Sequence, residues 1–428
     1  MPYFLFEYEM NSTTWAYLSS LMMIAIYFKF RRFWSVRNLD LIGLIAFAPA
    51  VVMVAHAQDR LGYIWLFSIG GAFLLRLLLD PLMVRRPLLE PNLSASGLTF
   101  AGAAMLVFLM SNVVAPQPTK SDVEGAQWMD QLLARKDSPA IRDYLREHGP
   151  GYPFFFIFST FSTVKPVEGT PPEQYHRALP RVAATRIAVI LAHLAVVLGM
   201  ILIGYRHFDN IHTGVAAATL YLLLPYTADY TPRVDHIVPA ALLVWAIESY
   251  RRPAVAGILV GLAAGVVYYP LYLLPLWCSF YWRRGLLRFI LGVAAILILL
   301  TALLALTSSN LDSFIFQVRQ MFGFRIQDAN FTGFWAYHAS AFRLPVFVAF
   351  AALCCSMAIW PAQKNLGTLL SCSAAVMLGV QFGKAQDGGI YMAWYLPLLI
   401  LTIFRPNLED RVALSAIGEG WVRWRKKG

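Results

Sequence analysis

The chain has 428 residues, 58% of them hydrophobic types and only 14% charged, with a formal net charge of +11. A soluble globular domain carries roughly 45–50% apolar and about 25% charged residues. This composition, with a mean hydropathy of +0.57, therefore excludes a soluble enzyme on one anchor, a secreted domain and a disordered chain. The apolar runs are continuous and do not alternate, which argues against a β-barrel and for an all-α polytopic membrane protein.

A spanning helix needs about 20 mostly apolar residues. In chain order, thirteen apolar segments fall near 12–28, 39–57, 61–79, 96–115, 183–204, 211–226, 237–250, 254–267, 268–282, 286–307, 341–361, 365–381 and 389–404. Glu7 and Glu9 precede the first, and Lys29, Arg31, Arg32 and Arg37 follow it, the reverse of a signal peptide's charge order. Tyr269-Pro270 divides the eighth segment from the ninth, because proline removes a helix donor. Cys278, Cys354, Cys355 and Cys372 all lie in apolar runs and suggest neither an ectodomain disulfide nor a metal cluster.

Lysine and arginine in the loops set the expected orientation. With the N-terminus outside, the inside loops hold Lys29/Arg31/Arg32/Arg37, Arg85/Arg86, Arg206, Arg251/Arg252, Arg283/Arg284, Lys364 and a basic tail over 405–428. The short outside loops hold only Arg60, Arg233 and Lys384. The C-terminus is then cytoplasmic, beside anionic lipid. The basic balance is that of a polytopic protein in a bilayer, with no nucleic-acid partner. A bacterial inner (cytoplasmic) membrane is the expected location.

Two long loops, about 116–182 and 308–340, fall outside. Loops of this length are functional or carry their own structure. In the first, Val123, Trp128, Met129, Leu132 and Leu133, then Ile141 and Leu145, recur at helical spacing, with Pro139 between two helices; the reading is an amphipathic juxtamembrane helix. The second mixes Phe314, Phe316, Val318, Met321 and Phe322 with Asp312, Gln317 and Arg319 and reads the same way. Small residues Gly257, Gly261 and Gly265, four apart, predict close helix packing.

No phosphate-binding glycine loop, dinucleotide fingerprint, zinc-protease or esterase motif is present. No cofactor or metal is indicated. The spans are nearly free of ionisable residues; Arg76, late in the third, is placed to snorkel, and Arg186 and His193 lie in the fifth. Polar groups concentrate on the expected outer face. Asp122 opens the outer amphipathic helix. Ser121-Asp122 fits a helix cap, and the same carboxylate suits a general base at the water–lipid boundary. Glu124 and Asp130 are nearby alternatives. Arg233, Asp235 and His236 stand at the mouth of the seventh segment: Arg233 suits a bidentate phosphate contact, or pairs with Asp235 at the surface. Arg319, Arg325, Asp328, His338, Lys384 and Asp387 are further outer-face candidates. Cations above a greasy bundle suit a lipid-linked phosphate, its tail among the helices and its headgroup among the charges.

The stretches "SDVEGAQWMDQLLARKDSPAI" (121–141), "GYPFFFIF" (151–158), "AVAGILVGLAAGVVYYPLYLLPLWCSFYWRRG" (254–285) and "IYMAWYLPLLIL" (390–401) together resemble the GT-C-type integral membrane glycosyltransferases. The nearest group is the polyprenyl-phosphate-mannose-dependent, mannosyltransferase-like one (family 87). The resemblance covers roughly 96–404. It implies transfer of a sugar from a polyprenyl-phosphate donor to a lipid or glycan acceptor on the extracytoplasmic face, by inverting displacement, with Asp122 at the family's base position. It also divides the chain into a three-helix N-terminal membrane extension (1–95), a GT-C-like domain (96–404) and the basic tail (405–428). Three positions depart from the pattern: Val266-Val267-Tyr268-Tyr269 where a Lys is common, Asp235-His236 near a common Gln, and Ile390 where a His often stands. Lost polar positions leave open a non-catalytic scaffold subunit with membrane-protein partners. A transporter or flippase for a lipid-linked substrate is the remaining alternative.

The expected site is therefore Asp122 as base, with Arg233, His236, Arg319, Arg325, His338 and Lys384 binding substrate and Glu124, Asp130 and Asp235 as secondary candidates.

Overall fold

The computed structural model describes residues 11–56, 59–83, 90–115, 120–136, 142, 145, 151–154, 156, 179–323, 331–362, 364–406 and 408, with backbone only at 120–123, 126 and 179–181. Arg85, Arg86, Pro139, Arg325, Asp328, the stretch 157–178 and the tail beyond 408 lie outside the described residues.

Short polar residues start the helices. Asn11, Ser35, Ser94, Asn210, Asn310 and Asn365 each accept a free backbone N–H at the head of an apolar run, the capping that leaves fewest orphan donors. The described helices are α1 Ser12–Tyr27, α2 Val36–Ala55, α3 Asp59–Leu78, α4 Ala95–Val114, α5 Lys120–Leu133, α6 Leu179–His207, α7 Ile211–Leu223 and α8 Pro225–Asp229. There follow α9 Val234–Glu248, α10 Pro253–Val266, α11 Leu274–Tyr281, α12 Leu286–Thr307, α13 Leu311–Met321, α14 Arg343–Ile359, α15 Leu366–Gly383 and α16 Leu396–Phe404. Seven of these, α2, α3, α4, α6, α12, α14 and α15, are long and apolar enough to cross a membrane. The protein is thus a helical membrane protein. The other six expected segments hold the shorter helices α1, α7, α9, α10, α11 and α16. Pro225 separates α7 from α8, and Pro270 opens the 3-10 turn Tyr269–Leu273 before α11.

One core runs from Trp15 to Leu408. Helix α15 is buried along nearly its whole length. Helices α4, α12 and α14 turn Phe100, Leu287, Ile298 and Val348 outward, as lipid-facing helices do.

The glycine stripe on α10 packs on α12. A Cβ at Gly257 would lie 2.2 Å from the Phe289 carbonyl oxygen, whereas one at Gly261 would meet the Ile296 side chain at 3.1 Å. Backbone cannot yield as a side chain can. Gly257→Ala is expected to cost about 1–3 kcal/mol, the usual cost of overpacking, and Gly261→Ala less. Thermal unfolding of the detergent-solubilised variants tests the ranking. A Gly261→Ala protein as unstable as Gly257→Ala would refute it.

Helix α3 is about 30 Å long at 1.5 Å per residue, and its two ends make different polar contacts. At one end Tyr63 donates to Asp387 Oδ1 at 3.1 Å. At the other, Arg76 holds Asp40 through two bonds (3.0 and 3.1 Å) and Asp80 Oδ1 at 2.8 Å, while Arg405 binds Asp80 Oδ2 at 2.6 Å. Asp80 is fully buried. Arg76, expected to snorkel, is instead held in an ion network. Asp80 follows Arg76 by one helical turn, and Asp40 reaches it from α2, so a compact ion network replaces solvation.

Candidate functional site

The site builds on two chain reversals at the Tyr63 end of α3. Pro225, lacking an N–H, ends α7 and starts the single-turn α8, which puts Tyr226 and Tyr230 on one face. Their rings stack at 4.9 Å. Thr231 caps the turn by donating to Thr227 and Ala228 carbonyls, and Arg233 then stands at the head of α9. Ten residues after Tyr226, His236 comes back against it. The tyrosine hydroxyl lies 2.6 Å from His236 Nδ1.

The second reversal is 384–395. Lys384 follows the C-terminus of α15, where a cation suits the helix dipole. Asp387, in a left-handed conformation with φ +48°, donates its N–H to Thr332 Oγ1. Gly389, φ +99°, donates to Gln381 Oε1 at 3.1 Å. That leaves Gln381 Nε2 buried without a partner among the described residues. The turn places Tyr391 against His236, centroids 4.4 Å apart, and Trp394 against Tyr391 at 4.6 Å. Trp394 Nε1 donates to the Asp235 carbonyl at 3.0 Å, and the Ala393 N–H donates to Tyr226 Oη at 3.1 Å. Lys384 is buried, with Nζ 3.8 Å above the Tyr391 ring and 2.6 Å from the Gln386 carbonyl.

Arg233, Asp235, His236 and Lys384, read separately from sequence, therefore meet around one aromatic group. Arg233 Nε and Nη2 grip both Asp235 oxygens at 3.1 and 3.0 Å. The Asp235 side chain is 4% exposed and that of Arg233 41%, and Nη1 takes no part in the grip on Asp235. Burial alone would lower the Arg233 pKa, but the Asp235 charge outweighs it and holds the group well above its usual value. Burial, reinforced by Asp229, pushes the Tyr230 phenol up to about 12, so the hydroxyl keeps its proton at neutral pH.

Helix α5 reaches this rim through an aromatic link. Gly125 lies so close to Phe156 that a Cβ would stand 2.4 Å from its ring. Phe156 packs on Tyr152 at 5.2 Å, and Tyr152 lies near Arg233. Gly151 N–H donates to the Gly265 carbonyl at 3.0 Å, which fixes this element on the end of α10. Asp122 lies on α5 three residues before Gly125; its side chain is outside the described residues. Glu124 accepts from Trp128 Nε1 at 3.3 Å, and Asp130 is half-buried.

Two expected residues do not touch this cluster in any described contact. Arg319 is exposed on α13. His338 stacks on Phe334 at 4.0 Å and bonds that residue's carbonyl, and Phe334 in turn lies on Phe67. Arg325 is outside the described residues. Tyr226, Tyr230, Gln381, Tyr391 and Trp394 were not selected from sequence. The signal available for them was the recurrence of tyrosines at the ends of two apolar segments.

Among the described residues no group of three or more His, Cys, Asp or Glu is placed to hold a metal ion. The chemistry open to the cluster is that of donors and cations around an anion, with aromatic faces beneath. No protein-family model, no characterised protein and no solved structure matches the chain.

Proposed function

We propose that the protein is a GT-C-type membrane glycosyltransferase. It moves a sugar, mannose in the nearest group, from a polyprenyl phosphate to a lipid or glycan acceptor on the extracytoplasmic face of a bacterial inner membrane. The observation that carries this reading is the meeting of Arg233, His236 and Lys384 at one end of an apolar bundle, beside the helix that bears Asp122. In this reading the shorter helices complete about thirteen crossings. The N-terminus and the site face outward, and the basic loops and tail face the cytoplasm.

In the reaction, the acceptor hydroxyl oxygen bonds to sugar C1 as the C1–O bond to phosphate breaks. The bonding pair leaves on the phosphate oxygen, and the hydroxyl proton passes to the Asp122 carboxylate, inverting C1. Arg233 Nη1 and Lys384 stabilise the negative charge that gathers on the leaving phosphate.

Full-length protein in nanodiscs, supplied with labelled polyprenyl-phosphate hexoses and membrane lipid, is expected to form glycosylated product. Arg233→Lys keeps the charge but loses the planar fork. At about 1.5–3 kcal/mol for a charge-assisted bond, kcat/KM should fall on the order of 10- to 100-fold. Wild-type protein that copurifies with stoichiometric partners and turns over none of these donors would favour a scaffold subunit.

A further inference from the structure

The hydroxyl of Tyr226 carries one proton and is buried at 3% exposure. Among the described residues its neighbours within hydrogen-bond distance are the Ala393 N–H at 3.1 Å and His236 Nδ1 at 2.6 Å. The backbone group can only donate, so it takes one lone pair of the tyrosine oxygen. The tyrosine proton then has one acceptor, Nδ1. Were Nδ1 protonated instead, the hydroxyl would accept twice and its own proton would be buried unbonded, costing about 1–3 kcal/mol. Tyrosine burial therefore decides the histidine tautomer. Nδ1 is the acceptor and Nε2 bears the hydrogen.

Nε2 faces the Asp235 carboxylate, 3.8 Å from Oδ2, on the side where Arg233 reaches the rim. The ring cannot rotate away. It stacks with Tyr230 at 5.1 Å and 9° and with Tyr391 at 4.4 Å, and Trp394 holds the Asp235 backbone.

We infer that Tyr226 is a positioning residue that locks His236 in the Nε2–H form, so that this N–H is a hydrogen-bond donor to the phosphate oxygen that leaves in the transfer. The role rests on the sugar-transfer reading; the tautomer lock does not. His236 transfers no proton in this step. It stabilises the departing oxygen, while the acceptor proton goes to Asp122.

The test uses full-length protein labelled with 15N-histidine in nanodiscs, where two-bond proton–nitrogen spectra separate the tautomers. His236→Gln identifies the His236 signal by its loss. The wild type is expected to show Nε2–H. Tyr226→Phe removes the donor to Nδ1, and a mixture of the two tautomers should appear. In transfer assays Tyr226→Phe should lower kcat about 10-fold with KM changed less than about 2-fold, the pattern of a contact made in the transition state. His236→Gln, whose amide can replace the Nε2 donor, should retain at least about 10-fold more activity than His236→Leu.

An Nδ1–H signal in the wild type, or an unchanged tautomer in Tyr226→Phe, overturns the lock. Equal activity of the Gln and Leu variants overturns the donor role. A tautomer that shifts as expected in a protein that transfers no sugar upholds the lock and removes the sugar-transfer reading.

Discussion

Asp80→Asn is expected to destabilise the folded protein by about 3–5 kcal/mol, the cost of removing one partner from a buried ion pair. Asp80 is fully buried and takes Arg76 on one oxygen and Arg405 on the other, at 2.8 and 2.6 Å. Arg76 keeps Asp40 when Asp80 is neutralised. Among the described residues Arg405, 6% exposed, then keeps only its 3.4 Å contact to the Pro406 carbonyl, and its Nε is already buried without a partner there. The charge left behind is the cause of the loss. A second substitution should therefore recover much of it: Asp80→Asn with Arg405→Met is expected to be more stable than Asp80→Asn alone, because no uncompensated cation remains. Thermal unfolding in detergent, across wild type, both single variants and the double variant, measures the coupling. Additive losses would show that the two residues do not act as a pair.

The same network bears on how the chain is held together. Asp40 and Arg76 lie on α2 and α3, Asp80 just beyond, and Arg405 follows α16. The first helices are thereby joined to the last at the end of the bundle opposite His236.

Asp122→Asn is expected to reduce sugar transfer on the order of 10²- to 10⁴-fold, the contribution of a positioned base. The substitution separates two roles. Asp122 is the third residue of α5 and not its cap, so asparagine loses only a favourable charge in the first turn, about 0.3–1 kcal/mol, and the protein should unfold at nearly the same temperature. Asparagine cannot accept a proton from the attacking hydroxyl. Glu124→Gln and Asp130→Asn are the controls, with turnover within about 3-fold of wild type, since a solvated or hydrogen-bonded carboxylate contributes little to the barrier. Full turnover in Asp122→Asn would take that residue out of the mechanism. A large loss in Asp130→Asn instead would move the base two turns along the helix.

Helix position was largely legible from the sequence, because apolar run length, proline and capping residues act over a few neighbours. The segment expected at 286–307 is the helix Leu286–Thr307, and Gly257, Gly261 and Gly265 pack on the neighbouring helix as their spacing indicates. The candidate site was legible in part. Arg233, Asp235, His236 and Lys384 stood out as polar residues at the ends of apolar segments, and they do come together. His338 has the same local signature but stacks on Phe334. Nothing within a few residues of either histidine distinguishes them; the difference lies in which distant turn folds over each.

Composition and loop charge alone determined that this is a helical membrane protein, since 58% apolar residues in long runs have few other ways to satisfy their backbone. Only the tertiary structure decided the partners. Arg76 meets Asp40 across 36 positions, Asp80 meets Arg405 across 325, and Tyr226 meets the Ala393 N–H across 167. Such contacts depend on how helices cross and where the chain reverses, information that periodicity along a single segment does not contain. The tautomer of His236, and with it the donor that the site presents, is settled by a buried hydroxyl whose proton has one place to go.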